Sequence, residues 1–281
     1  MTAAIVRRAK LGRTSCREIS RLSNQGIVVV RHWRDRFPEG ISTAIRWGCT
    51  ANIPVSSVLN SAEAIHQVND KLGFRRTLND AELCPATWFS VEDTEPVVRG
   101  GITVIVRPER HAQGRRLHVC STVQELRTAC SRYPRYYISN LINKVAEYRV
   151  FVAQGRAVWV AKKTPGNPED VAWNVALGGR FDNVRWNDWP LKAVKTSIQA
   201  FNLSSLDFGG VDVMVDANGN CYVLEINSAP SLTSPYRQEC TAKALDYMLV
   251  HGKERIALVD RRGNYKKFIH PSVCEEALMY E

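Results

Sequence analysis

No stretch of this 281-residue chain approaches the roughly 20 consecutive apolar residues needed to cross a bilayer, which argues against a membrane-spanning protein. The amino terminus, MTAAIVRRAKLGRTS, has no apolar core of the kind a secretory signal carries. The eight cysteines, at positions 16, 49, 84, 120, 130, 221, 240 and 274, contain no C-x-x-C pair. Their scatter argues against a zinc ribbon or a compact disulfide framework and predicts reduced thiols in a cytoplasmic protein. Internal repeats and low-complexity tracts are missing. So are the phosphate-binding string G-x-x-x-x-G-K-[ST], the dinucleotide string G-x-G-x-x-G and the kinase triplet H-R-D. No Ser/His/Asp or Cys/His set stands out as nucleophilic machinery.

The chain does carry charge of one sign in excess. The net charge is +10. Residues 1–50 hold ten Lys+Arg against three acids, with Arg7, Arg8, Lys10, Arg13, Arg17 and Arg21 placed before the first expected strand. Such a surface suits an acidic protein tail, a polyphosphate ligand or, less favoured, a nucleic acid; it also suits plain solvation.

The densest signal lies near the carboxyl end. Asp212 sits in the run VDVMVD, and Glu225 and Asn227 sit in YVLEIN. Between them, Asp216-Ala-Asn-Gly219 has the composition of a turn joining two antiparallel strands. Side chains alternate along a strand, so Glu225 and Asn227 share a face, with Ile226 and Leu224 directed to the core. Pairing across the hairpin brings Asp212 to the face of Glu225. Two carboxylates and an amide oxygen suit a hard cation such as Mg²⁺. Mg²⁺ in such a setting commonly also holds substrate phosphates.

The pattern along the rest of the chain is mixed α and β. Residues 1–25 read as helical, Ile27–Val30 and Ser42–Gly48 as strands, and Ser61 as the cap of a helix running to Leu72. Ala86–Val91 reads as a strand, as do Ile102–Val106, Leu117–Cys120 and Tyr136–Ile142. Thr122 with Glu125 forms a capping-box pattern for a helix to Ala129. Tyr148–Ala153 and Ala157–Ala161 flank Gln154-Gly155 as a hairpin. Helices are expected over Leu191–Phe201 and Tyr236–Val250, and a last hairpin over Ile256–Ile269.

The string VDVMVDANGNCYVLEINSAPSL resembles the metal-binding end of the ATP-grasp superfamily, bacterial or phage type. There an Asp on one strand is followed by Glu-x-Asn on the next, then a small residue and Pro. The resemblance runs from about Asn69 to Leu232. It implies an α+β ATP-grasp fold, with two α+β lobes clasping ATP after a small α/β domain. On that basis residues 1–95 form the first domain, 96–138 the small lobe, and 139–281 the large lobe with a terminal helix and hairpin. The resemblance implies ATP and Mg²⁺ as cofactors, with two ions expected and Mn²⁺ an accepted substitute. Asp212, Glu225 and Asn227 would be the metal ligands. Lys71 would touch the ATP phosphates, and Arg107 would stand where the family has lysine, replacing a point charge with a two-pronged guanidinium. Gly114, in the loop HAQGRR, would flap over the triphosphate. Ile138 and Ile142 would flank the backbone that reads adenine. Glu147 and Arg149, in a string similar to the family's E-x-R-V, would serve the ribose or metal and the γ-phosphate. Lys162 or Lys163 would follow on the partner strand and also meet phosphate. Asn174, before Gly178-Gly179, matches the N-x-x-x-G-G stretch of RimK-type ligases. The Asn-Ser-Ala-Pro tail resembles the ligases of the RimK and glutathione-synthase branch, which implies a carboxylate–amine ligase acting on small-molecule or peptide substrates. A kinase on the same scaffold and a non-catalytic ATP-binding scaffold are the alternatives.

Overall fold

The computed structural model describes residues 3–8, 12–31, 35–110, 116–173 and 177–252. The expected terminal hairpin at 256–269 lies outside them.

The first domain is a parallel four-stranded sheet. The chain opens with β1 (Ala3–Arg7), α1 (Arg13–Leu22), β2 (Val28–Arg31), β3 (Thr43–Trp47) and β4 (Ser57–Leu59). The spatial order is β2-β1-β3-β4, all parallel. The expectation of a helix across residues 1–25 is therefore corrected at its start. Every residue of Ala3–Arg7 is buried, as a central parallel strand requires of its short apolar run. Arg7 belongs to that strand and is 3% exposed, so the basic cluster is split. Arg13, Arg17 and Arg21 lie exposed on α1, and Lys10 falls outside the described residues.

Two helices follow, α2 (Ala62–Asn69) and α3 (Lys71–Asp80), where one was expected. Ser61 caps α2, its hydroxyl accepting from the Ala64 N–H at 3.1 Å. Asp70 then ends that helix and caps the next, accepting from the Gly73 N–H at 3.1 Å. An acceptor at this position stops one helix and starts another.

The second sheet is antiparallel, ordered β5-β8-β6-β7. Its elements are β5 (Thr87–Trp88), α4 (Val91–Arg99), β6 (Val104–Pro108), β7 (His118–Cys120), α5 (Val123–Cys130) and β8 (Tyr136–Asn140). Val91 opens a helix rather than closing a strand because Ser90 caps it, accepting from the Asp93 N–H. The expected borders at 95/96 and 138/139 fall inside α4 and β8. The capping box of Thr122 and Glu125 is formed.

The third sheet has five strands, ordered β11-β10-β9-β12-β13, all antiparallel. They are β9 (Lys144–Ala153), β10 (Arg156–Thr164), β11 (Arg180–Asn183), β12 (Phe208–Asp216) and β13 (Cys221–Asn227). A helix α6 (Leu191–Asn202) precedes β12, and α7 (Pro235–His251) follows β13. One apolar cluster joins the first domain to this sheet: Ile5, Ile19 and Trp47 pack with Phe151, Trp159, Leu245 and Met248. Helix α7 is thus clamped between two sheets, and Trp159 donates its indole N–H to Thr241 at 2.9 Å.

A buried polar weld fixes the same junction. Asn60 has φ +62° and is fully buried. Its Oδ1 accepts from the N–H groups of Asp207 at 2.8 Å and Phe208 at 3.1 Å, and its Nδ2 donates to the Phe208 carbonyl at 3.0 Å. The Asn60 N–H donates in turn to the Asp207 carboxylate. Gly48 makes a second close approach. A Cβ there would lie 2.8 Å from that of Ala229, so only a glycine lets the first domain meet the Asn-Ser-Ala-Pro segment after β13.

Candidate active site

The hairpin turn forms as composed. The Asp216 carboxylate accepts from the N–H groups of Asn218 and Asn220 at 2.9 and 2.8 Å, and Gly219 takes φ +75°. This turn sets the register of β12 and β13 up to Val213 opposite Val223, and a bulge at Leu224 then places the acids. Asp212 is the cross-strand partner of Glu225 on one side and of Arg149 on the other. Three functional side chains therefore stand in one row across β9, β12 and β13.

Arg149 grips Asp212 with a two-pronged contact, Nε to Oδ1 at 2.6 Å and Nη2 to Oδ2 at 2.8 Å. Beside this row, the buried Glu147 carboxylate accepts from Lys144 at 2.8 Å and from Lys163. Lys163 also lies 3.7 Å from Asp212, joining the two acids into one network. From α3, Lys71 donates to Glu225 Oε2 at 3.1 Å; Asn227 Nδ2 donates to Oε1 at 3.2 Å. The aromatic ring of Phe181, on β11, lies 4.5 Å from the Arg149 guanidinium carbon and 5.4 Å from the Lys163 nitrogen. Lys144 lies 4.6 Å over Trp173.

The charge states follow from these partners. Burial opposes ionisation of Glu225, yet Lys71, then Arg149, outweigh it and hold the carboxyl down to about 2. Burial likewise opposes the charge on Lys163 and Arg149, and the nearby carboxylates win, Asp212 first, so both are raised. Lys144 goes the other way: burial outweighs Glu147 and lowers it. Burial also lowers Arg107, with Arg75 adding to the effect and Tyr137 opposing it. Two buried thiols are poor nucleophiles, because burial pushes Cys16 up to about 12 and Cys240 up to about 11.

These groups line a cleft of about 730 Å³ between the second and third sheets. Arg107 reaches it from β6, donating to Ser139 Oγ at 2.8 Å. Seven cationic side chains and three acids line the walls. Ile105, Leu117, Leu141, Ile142, Met214 and Leu224 add apolar wall to the same cleft.

Of the expected site residues, Lys71, Arg107, Ile142, Glu147, Arg149, Lys163, Asp212 and Glu225 meet in this cleft. Asn227 touches Glu225 through its amide nitrogen and is not among the residues lining the cleft. Lys162 does not join them. It is exposed on the opposite face of β10, as strand alternation requires when Lys163 points inward. Ile138 is fully buried in the core of the second sheet, and its strand is paired with β5 and β6 on both sides. Leu224 lines the cleft rather than the core, because a bulge opposite Asp212 and Val213 shifts the alternation of β13. Gly114 and Asn174 lie outside the described residues.

Lys144, Arg75 and Phe181 were not anticipated. Lys144 is three residues from Glu147, an odd offset that puts regular-strand side chains on opposite faces. An irregularity at Val145 brings them together.

The donor set fits a hard cation. Among the described residues no three His, Cys, Asp or Glu side chains group as a metal site. Here two facing carboxylates are completed by an amide. Glu225 keeps 41% of its side chain exposed to the cleft, and its ion-pair partner Lys71 is a flexible cation that a metal ion can displace. Among the described residues no helix is long and apolar enough to cross a membrane.

Comparison with known proteins agrees with this architecture. A probable alpha-L-glutamate ligase of Aeromonas salmonicida (strain A449) is 26% identical over 185 residues, covering 62% of this chain and 60% of the relative. The chain thus spans about three fifths of the length of that relative. The structure of a RiPP-associated ATP-grasp ligase of Chryseobacterium gregarium, in complex with ADP and a leader and core peptide, superposes with a TM-score of 0.65 at 13% identity, covering 95% of this chain and all of that one. D-alanine–D-alanine ligase from Bacillus anthracis gives 0.62 at 13% identity, over 90% of this chain and 97% of its own. These two likenesses show the fold. The model of an ATP-grasp domain family, the third family of its clade, matches residues 60–248, the stretch that holds the helix pair, both cleft sheets and the acidic hairpin, and the chain belongs to that ATP-grasp family.

Proposed function

We infer that this chain is an ATP-dependent carboxylate–amine ligase that forms an amide or peptide bond through an acylphosphate and releases ADP and phosphate. The observation that carries the reading is the row Arg149–Asp212–Glu225 in a cleft whose cations outnumber its acids. A triphosphate supplies the missing negative charge. The probable glutamate ligase among the relatives supports amide formation, and the ADP bound to the Chryseobacterium enzyme supports the nucleotide product.

A carboxylate is a poor acyl donor because oxide is a poor leaving group. Transfer of the γ-phosphoryl to it forms a carbon–oxygen–phosphorus link and breaks the β–γ bond. The amine then attacks the carbonyl, and phosphate leaves with the former carboxylate oxygen. Phosphoryl transfer needs charge neutralisation and alignment more than covalent help. On this reading Arg149 and Lys163 would meet the transferring group, and Arg107 and Lys71 would hold the remaining phosphates. Asp212, Glu225 and Asn227 would hold Mg²⁺, which when bound neutralises phosphate charge. The apolar part of the lining suits a base. Among the described residues the side-chain oxygen of Asn140, another lining residue, has no hydrogen-bond partner, which makes it an acceptor suited to the amino group of adenine.

The test is Mg²⁺-dependent ADP release measured with a carboxylate plus an amine, with an alcohol, or with neither. Release that needs both carboxylate and amine supports the ligase. Release with an alcohol and a stable phosphorylated product indicates a kinase; binding without release indicates a scaffold. The basic α1 surface suggests acidic peptides as the first acceptors to screen.

A further inference from the structure

The metal-side strand β13 is the edge of its sheet, and an edge strand leaves backbone groups unpaired. Helix α3 takes them. Lys71 and Arg75 are four residues apart, so they share one helix face. Arg75 Nη1 donates to the Val223 carbonyl at 3.2 Å, and Nη2 donates to the Leu224 carbonyl. Lys71 takes the side chain of the next residue, Glu225. The turn after the helix adds a bond from the Val223 N–H to the Leu83 carbonyl at 2.7 Å. One short stretch thus holds three consecutive residues at the bulge that re-aims β13.

Arg75 has a second attachment. Its guanidinium lies 5.3 Å over the ring of Tyr137, which sits on β8 of the other cleft sheet. Arg75 is 5% exposed, and among the described residues it has no carboxylate within ion-pair distance. Burying an unpaired charge is costly, so a guanidinium kept here needs a role beyond filling space. Two carbonyls at a bulge and an aromatic face on the opposite sheet satisfy it.

We propose that Arg75 is the positioning residue of Glu225. It pins the bulge carbonyls so that the Glu225 carboxylate faces the cleft, and it ties that carboxylate to the small-lobe sheet through Tyr137. The proposal rests on the nucleotide reading above.

The experiment compares R75K and R75M with the parent by titrating ATP with and without Mg²⁺, using calorimetry. Lysine keeps the charge but cannot fork two carbonyls. R75K is expected to bind metal-free ATP within about twofold of the parent and Mg-ATP about tenfold more weakly, the size of one lost charged hydrogen bond. R75M is expected to weaken both. If R75K matches the parent in both titrations, or weakens both equally, Arg75 is only a cleft cation or a packing element and the proposal falls. A circular-dichroism spectrum and an unfolding curve accompany each variant. Should R75K fail to fold, R75Q, whose amide can hold one carbonyl, is read the same way; failure of both to fold assigns Arg75 a structural role and overturns the proposal. A parent protein that binds no ATP overturns the nucleotide reading itself, a result distinct from any pattern among the variants.

Discussion

Asn60→Ala removes the polar weld between the first domain and β12, and its cost can be worked from the contacts. Three buried backbone groups lose their partners: the N–H of Asp207 and the N–H and C=O of Phe208. Each unsatisfied buried group costs about 1–3 kcal/mol. Because both N–H groups share one oxygen, about 3–6 kcal/mol is expected in total. Alanine must also hold the left-handed φ of +62°, which adds ~1 kcal/mol. Such a loss is a large part of the ~5–15 kcal/mol that holds a typical domain together. Asn60→Gly removes the same hydrogen bonds without the strain, so it should lie about 1 kcal/mol above the alanine variant. Equilibrium urea unfolding of the three proteins measures both differences. A loss below about 1 kcal/mol for Asn60→Ala, or a glycine variant less stable than the alanine one, would refute the reasoning.

Three further outcomes follow from the cleft. Arg107→Ala should lose most ATP affinity while Arg107→Lys keeps part of it, and Lys162→Ala should leave ATP binding unchanged; calorimetric titration checks all three, and a Lys162→Ala loss equal to that of Arg107→Ala would contradict the assignment. Glu225 has its folded pKa below the ordinary 4.5, at about 2. Its stabilising contribution is therefore present above pH 4.5 and is lost as pH falls through about 2. Removing the Lys71 ammonium, the cation bonded to this carboxylate, with Lys71→Met should move that loss to higher pH, visible as an upward shift of the Glu225 carboxyl titration by NMR. Asn140→Ala should narrow the preference for ATP over GTP in competitive binding, since the buried acceptor suits an amino group and opposes a carbonyl.

The acidic hairpin was legible because its turn is local. Asp216–Gly219 specify the turn and the pairs next to it, while the alignment of Asp212 with Glu225 needs the bulge at Leu224, which no local signal announces. The capping residues Ser61 and Thr122 were legible for the same reason. What escaped was set by distant partners or by irregular backbone. Ala3–Arg7 is a strand because two parallel neighbours flank it, and nothing within five residues reveals them. Asn60 looks like a loop residue until Asp207, far along the chain, arrives beside it. Lys144 and Leu224 defied strand alternation because irregularities at Val145 and in β13 changed the facing side. Lys162 and Lys163 were equivalent as neighbours in sequence; only the direction of β10 separates the exposed one from the buried one.

Hydroxylamine trapping tests the ligase reading most directly. The protein is incubated with ATP, Mg²⁺ and a screened carboxylate, with hydroxylamine in place of the amine. An acylphosphate intermediate predicts a hydroxamate formed in proportion to ADP and lost in Glu225→Ala, whose fold should survive because that side chain faces the cleft. ADP formation with a stable phosphorylated product, no hydroxamate and no effect of hydroxylamine would contradict it.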